Sequence, residues 1–213
     1  MFTLIKREIE DHIVYFIGAA ACSLVFIALS IAIAYHDKSD GPPLVWLSLS
    51  IPVGIIVIIG FGAMGAGQMY NDRTKKISAL LSTLSVSRSR ILIARIAAGI
   101  LAMLILLVPL AVTIRILLRI FAPYPVPYPV YEGIVTEVFT SAFLMGFACY
   151  CIGLQTGFTS SKIAPTFGAI VLTCVLVPLI IIKGLGTHFV LLTLAFIAAS
   201  LIRTWNKFMT TAL

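Results

Sequence analysis

The chain has 213 residues, 61% of them hydrophobic and 11% charged, with a formal net charge of +7 and a mean hydropathy of +1.12. A soluble domain of this size covers its surface with far more charge, so the composition excludes one and points to an integral membrane protein. The excess of Lys and Arg is what membrane topology requires and calls for no nucleic-acid partner.

Residues 1–12 read as an amphipathic helix in the inner interface. Phe2, Ile5, Ile9 and Ile13 fall along one face, while Lys6, Arg7, Glu8, Glu10 and Asp11 point elsewhere. A plain cytoplasmic extension of the first span is the alternative. Acidic residues after Lys6 and Arg7, and the want of a small-residue cleavage site, argue against a signal peptide.

Runs free of Asp, Glu, Lys and Arg then mark six spans, 13–35, 44–69, 96–114, 138–161, 163–182 and 184–202. Each is close to or above the roughly 20 residues that cross a hydrocarbon core as helix. The third is expected to start near Ile91, with Arg95 snorkelling to the interface. Strand alternation is absent, which excludes an outer-membrane barrel. With the N-terminus inside, eleven of the fifteen Lys and Arg residues lie on the cytoplasmic side; the other side holds Lys38, Arg115, Arg119 and Lys183. Both termini are therefore expected in the cytoplasm.

Between the spans, 36–43 (HDKSDGPP) is a polar turn. The second span ends in Gly60, Gly62, Gly65 and Gly67, a spacing that allows close helix approach. Pro52, Pro109 and Pro178 are expected to kink their helices. Residues 123–132 (PYPVPYPVYE) carry proline at every second position early on and predict an extended or polyproline-like strap, with Tyr124, Tyr128 and Tyr131 at headgroup level. Arg115 and Arg119 lie one helical turn apart at the outer end of the third span, and Glu132 and Glu137 open the fourth. This outer-end charge cluster is expected to pair, the alternative being a charged outer gate.

The longest charged interruption is 68–90, QMYNDRTKKISALLSTLSVSRSR, with five of the fifteen Lys and Arg residues. Within it Ile77, Leu80, Leu81 and Leu84 fall at i, i+3, i+4 and i+7, one face of a helix. The pattern fits a helix that docks a cytoplasmic partner, and equally one that lies on anionic lipid.

Catalytic constellations are missing. His12, His36 and His188 sit near span ends, and no His-Glu-x-x-His, Walker motif or mid-span acidic residue occurs. The cytoplasmic acids Glu8, Glu10, Asp11 and Asp72 are too few for a magnesium-dependent lipid transferase. Cys22, Cys149, Cys151 and Cys174 lie within spans; Cys149 and Cys151, two apart on a helix, cannot jointly grip a metal. No metal site and no resident cofactor are expected.

The arrangement resembles the permease subunit of an ABC-2-type ABC transporter. The shared features are a lead-in helix, six spans with both termini inside, and an amphipathic helix between spans two and three. The textual likeness is concentrated in 68–100: Asn71, Asp72 and Arg73, the leucine-rich stretch 75–84, the turn of Ser85, Val86, Ser87 and Arg88, then Ile93, Ala94 and Arg95. Lys75, Lys76 and residues 77–79 replace the usual glycine and glutamate, Ser85 replaces a common proline, and 183–188 is too short for the re-entrant helices of many relatives. The resemblance implies one all-α membrane domain over 1–213, with 1–12 as an interfacial helix and 68–86 as the coupling-helix segment. It also implies an exporter subunit that is no enzyme by itself. ATP and Mg would be held by two separate P-loop ATPase subunits, and a second copy or a paralogous permease would complete the path. Asp72, Arg73, Lys75, Lys76, Ile77, Leu80, Leu81 and Leu84 would couple to the ATPase. The implied location is a prokaryotic cytoplasmic membrane, and the apolar, hydroxyl-bearing spans suit a hydrophobic or amphipathic cargo. A non-transporting scaffold and a gradient-driven carrier are the alternatives.

Overall fold

A computed structural model describes residues 2–36, 44–75, 87–121, 128–157 and 186–210. Among them the chain is helical: α1 (Phe2–Asp11), α2 (Ile13–His36), α3 (Leu44–Lys75), α4 (Arg88–Phe121), α5 (Tyr128–Gly157) and α6 (Thr187–Thr210). Five contain stretches long and apolar enough to cross a membrane: Ile13–Ala34, Val53–Asn71, Arg88–Ile120, Glu132–Thr156 and Thr187–Thr210. The expected fifth span, 163–182, lies outside the described residues, as do Lys76, Ile77, Leu80, Leu81, Leu84, Cys174 and Pro178. So do the side chains of Asp72, Arg73 and Lys75.

The outer faces of these helices are apolar. On α4, Ile91, Leu92, Ala98, Ala102, Met103, Leu106 and Leu110 form a buried stripe, while Ile93, Leu104, Val108, Val112 and Ile116 on the other side are exposed. A helix apolar all round, with half of that surface uncovered, is stable in lipid and not in water. The bundle is a helical membrane protein.

Helix boundaries follow local chemistry. α4 continues across Pro109, and Thr113 Oγ1 donates to the Pro109 carbonyl at 2.9 Å. α5 starts at Tyr128, inside the segment expected to be extended. Pro129 falls in its first turn, where a missing N–H forfeits no helical bond. Residues 128–132 of the segment expected to be extended are therefore helical, and 122–127 lie outside the described residues.

The most extensive contact joins α3 and α5. Its cause is glycine. A Cβ on Gly65 would collide with the Tyr150 carbonyl oxygen and sit 3.0 Å from Leu154 N; one on Gly153 would collide with the Gly62 carbonyl oxygen and sit 2.9 Å from Ala66 N. Hydrocarbon offers no hydrophobic drive between helices, so backbone approach of this kind supplies the association. Gly146 opposite Val57 continues the seam, and the pairing of 57 with 146 and of 65 with 150 and 154 makes the two helices parallel. Of the four glycines expected to pack, Gly62 and Gly65 meet α5, Gly67 faces the Tyr15 hydroxyl, and Gly60 faces open space.

Gly65→Leu should lower stability by about 1–3 kcal/mol or more through overpacking, while Gly60→Leu leaves it within about 0.5 kcal/mol. Thermal unfolding of the two variants in one detergent measures the contrast.

Candidate functional site, a buried ion pair between α1 and α4

α1 carries three faces. Lys6 and Glu10 are exposed and 3.8 Å apart, an i,i+4 pair of small energetic value. Ile5 and Ile9 are half-buried, and Glu8 and His12, also four apart, are buried. The polar pair meets the bundle together with Ile9, which packs against the hydrophobic core. Glu8, expected to point elsewhere than the apolar face, is turned into the bundle, where its charge has a partner.

That partner is Arg95, 2% exposed in the second turn of α4. Its Nε donates to Glu8 Oε1 at 3.2 Å, Nη1 donates to Met69 Sδ of α3 at 3.5 Å, and Cζ lies 5.8 Å from the ring centroid of Phe208 of α6. Arg95 does not snorkel to the interface as the sequence predicts. A carboxylate, a thioether and an aromatic face replace water around its guanidinium. Glu8 Oε2 is also 3.8 Å from His12 Nε2, which places the imidazole on the far side of the carboxylate from Arg95. His12 occupies the turn between α1 and α2: its N–H donates to the Glu8 carbonyl at 3.2 Å, and its carbonyl accepts from Tyr15 N at 3.0 Å.

Tyr150 brings α5 to the same point. Its ring lies against Gly99 of α4 so closely that a Cβ there would fall 2.5 to 2.9 Å from three ring carbons. Its Oη is 2.6 Å from Gln68 Oε1 and 2.9 Å from the Arg95 carbonyl oxygen. One phenolic proton cannot serve two acceptors, and the buried Gln68 Nε2 has no partner among the described residues. Turning the amide end for end makes Nε2 the donor to the phenol and the phenol the donor to Arg95, leaving an unpaired acceptor in place of an unpaired donor. Nearby, Gln155 Nε2 donates to the Ser200 carbonyl at 3.0 Å and ties α5 to α6. Glu8, Gln68, Met69, Arg95, Tyr150 and Phe208 thus join α1, α3, α4, α5 and α6 in one polar hub at the α1 end of the bundle.

The residues singled out by sequence stand as follows. Asp72, Arg73 and Lys75 lie on the last two turns of α3, which leads toward the undescribed 76–86. α4 resumes at Arg88, with the Ser87 carbonyl accepting from Arg90 N at 3.0 Å. At the opposite end the outer-end charge cluster makes no ion pair of its own among the described residues. Arg115 Nη2 instead donates to Thr136 Oγ1 at 2.8 Å, and Thr136 Oγ1 donates to the Glu132 carbonyl at 2.7 Å. Arg119, Glu132 and Glu137 are exposed, where solvation competes with pairing. No cluster of His, Cys, Asp and Glu that could hold a metal occurs among the described residues.

Glu8, His12, Gln68, Tyr150 and Phe208 were missed by sequence reading. The signal for Glu8 was available: an arginine two turns inside an apolar helix needs a counter-charge, and few acids share its end of the bundle. Comparison with protein-family models, characterised proteins and solved structures gave no match.

The hub makes a sharp prediction. Glu8→Leu or Arg95→Met alone should destabilise by about 3–5 kcal/mol, because each leaves an uncompensated buried charge or its desolvated partner. The double variant Glu8→Leu, Arg95→Met should recover most of that loss, and Tyr150→Phe should cost about 1 kcal/mol. Unfolding of the four variants in detergent, read as a double-mutant cycle, tests the pairing.

Proposed function

We propose that the chain is the membrane-spanning permease subunit of an ATP-driven exporter, moving a hydrophobic or amphipathic cargo with energy from separate P-loop ATPase subunits. The observation that carries this reading is the position of the hub. Arg95 lies seven residues into α4, about 10 Å along the helix from the point where the 76–86 segment hands over to it. A displacement of that segment by a partner would be delivered to α4 and, through Arg95 and Tyr150, to α1, α3, α5 and α6. A segment that merely rests on lipid has no use for such a linkage.

In the proposed complex both termini are cytoplasmic, and two ATPase subunits, which hold ATP and Mg, sit beneath two permease copies or this chain and a paralogue. Asp72, Arg73, Lys75, Lys76, Ile77, Leu80, Leu81 and Leu84 form the surface presented to the ATPase. Closure of the ATPase pair pushes this surface, and α3, α4, α5 and α6 rock as a body because the polar hub ties them together. Six spans are part of the proposal. α5 reaches the hub end with Gln155 and Gly157, and α6 ends there with Phe208. A helix of 24 residues measures about 36 Å, so α6 starts at the end opposite to the close of α5, which supports the sixth span of the proposal.

Affinity purification of the tagged chain in mild detergent should recover a stoichiometric P-loop ATPase whose turnover the permease stimulates. Leu81→Asp should release the ATPase. Charge reversal at Arg73 or Lys76 should abolish the stimulation without preventing membrane insertion. Unchanged coupling in complexes carrying these substitutions would sink the assignment.

A further inference from the structure

α1 is a ten-residue helix, too short to persist by itself in water. Its position depends on what holds it, and the contacts are few and concentrated. Glu8 reaches across to Arg95, His12 backs the same carboxylate, and the joint to α2 is a single turn at His12. The neighbouring Tyr15 hydroxyl packs against Gly67 of α3, which anchors the α2 side of that joint. The apolar flank of α1, Ile5 and Ile9, is half-buried and gives the helix a second place to rest, in the lipid interface. One side of α1 is thus held by charge and the other by Ile9 against the hydrophobic core, an apolar contact that the lipid interface can replace.

We infer that Glu8 is a positioning residue that latches α1 to α4 through Arg95, and that α1 swings about His12 between a docked state on the bundle and a released state on the membrane surface. The groups facing the latch are Glu8 and His12 from α1 and its turn, Gln68 and Met69 from α3, Arg95 from α4, Tyr150 from α5 and Phe208 from α6. Of these, Glu8 and Arg95 carry the formal charges. Release separates a buried pair and exposes Arg95 to headgroup water, so the docked state holds as long as the pair is intact. An anionic group that competes for Arg95, or a pull on α4 through the 76–86 segment, shifts the balance toward release. The functional consequence rests on the transport reading above: the latch would let α1 report or gate the movement of α4. Its existence does not rest on that reading.

The test uses the full purified chain in nanodiscs of mixed neutral and anionic phospholipid, without an ATPase. Spin labels on genetically encoded side chains at Thr3 of α1 and Ile93 of α4, both exposed, report the α1 to α4 distance. The unsubstituted protein should give one narrow docked peak. Glu8→Gln should remove at least about half of that peak's area into a longer, broader distribution, Glu8→Asp should restore it, and the exchange Glu8→Arg with Arg95→Glu should restore it in part. A narrow docked peak in Glu8→Gln would overturn the latch, and so would release that neither Asp nor the exchange reverses, since a merely misfolded helix would not follow charge. Loss of docking in Glu8→Gln, combined with unaltered ATP turnover in a complex with the ATPase, would keep the latch and refute only its role in transport.

Discussion

Everything at the α1 end of this bundle is arranged around one constraint: a guanidinium that has left water. Moving an arginine out of water costs several kcal/mol even after relaxation, and the loss is offset only where geometry and further hydrogen bonds are good. Arg95 meets the condition with a carboxylate at 3.2 Å, a thioether at 3.5 Å and an aromatic face at 5.8 Å, taken from three different helices. The charge therefore selects an arrangement. α1, α3 and α6 have to be where they are if Arg95 is to stay inside, and a hydrophobic residue at that position would leave their relative positions far less specified.

The glycine seam between α3 and α5 makes this arrangement reachable. Contact of the Gly62 and Gly65 backbone with Gly153 and Tyr150 draws the two helices together and sets Tyr150 at the level of Gly99. The phenol then spans the gap between Gln68 and the Arg95 carbonyl. Close packing and polar pairing, the two forces available in hydrocarbon, are thus used in series. Small residues bring the backbones together, and the hub fixes their register. Loosening the seam would spread the hub, and neutralising the hub would leave the seam as the main tie between the helices.

Much of the fold was legible in the sequence for a simple reason. In lipid, length and apolarity of a run nearly determine a spanning helix, and the described helices begin and end within a turn or two of most predicted spans. Two features were hidden. Tyr128 and Pro129 look like an extended strap, yet proline in a first turn is compatible with helix, and local composition does not say where that first turn falls. Arg95 looks like a snorkelling residue because its position near a span end permits snorkelling; it stays buried through partners distant in sequence, Glu8 87 residues away among them. The amphipathic pattern of α1 hid part of its docking face, which takes in Glu8 and His12 beside Ile9. Of the residues expected to couple to a partner, Asp72, Arg73 and Lys75 are placed on α3 by backbone, while Lys76 to Leu84 lie beyond the described residues.

In the proposed transporter, a bundle keyed at one end by a buried charge pair would receive force from a partner and distribute it among the helices. The most direct measurement is photocrosslinking from a reactive side chain at position 81 in intact membranes, followed by identification of the adducts. A transport subunit predicts one dominant adduct to a P-loop ATPase that gains or loses yield with nucleotide. Adducts to lipid alone, insensitive to nucleotide, would contradict it.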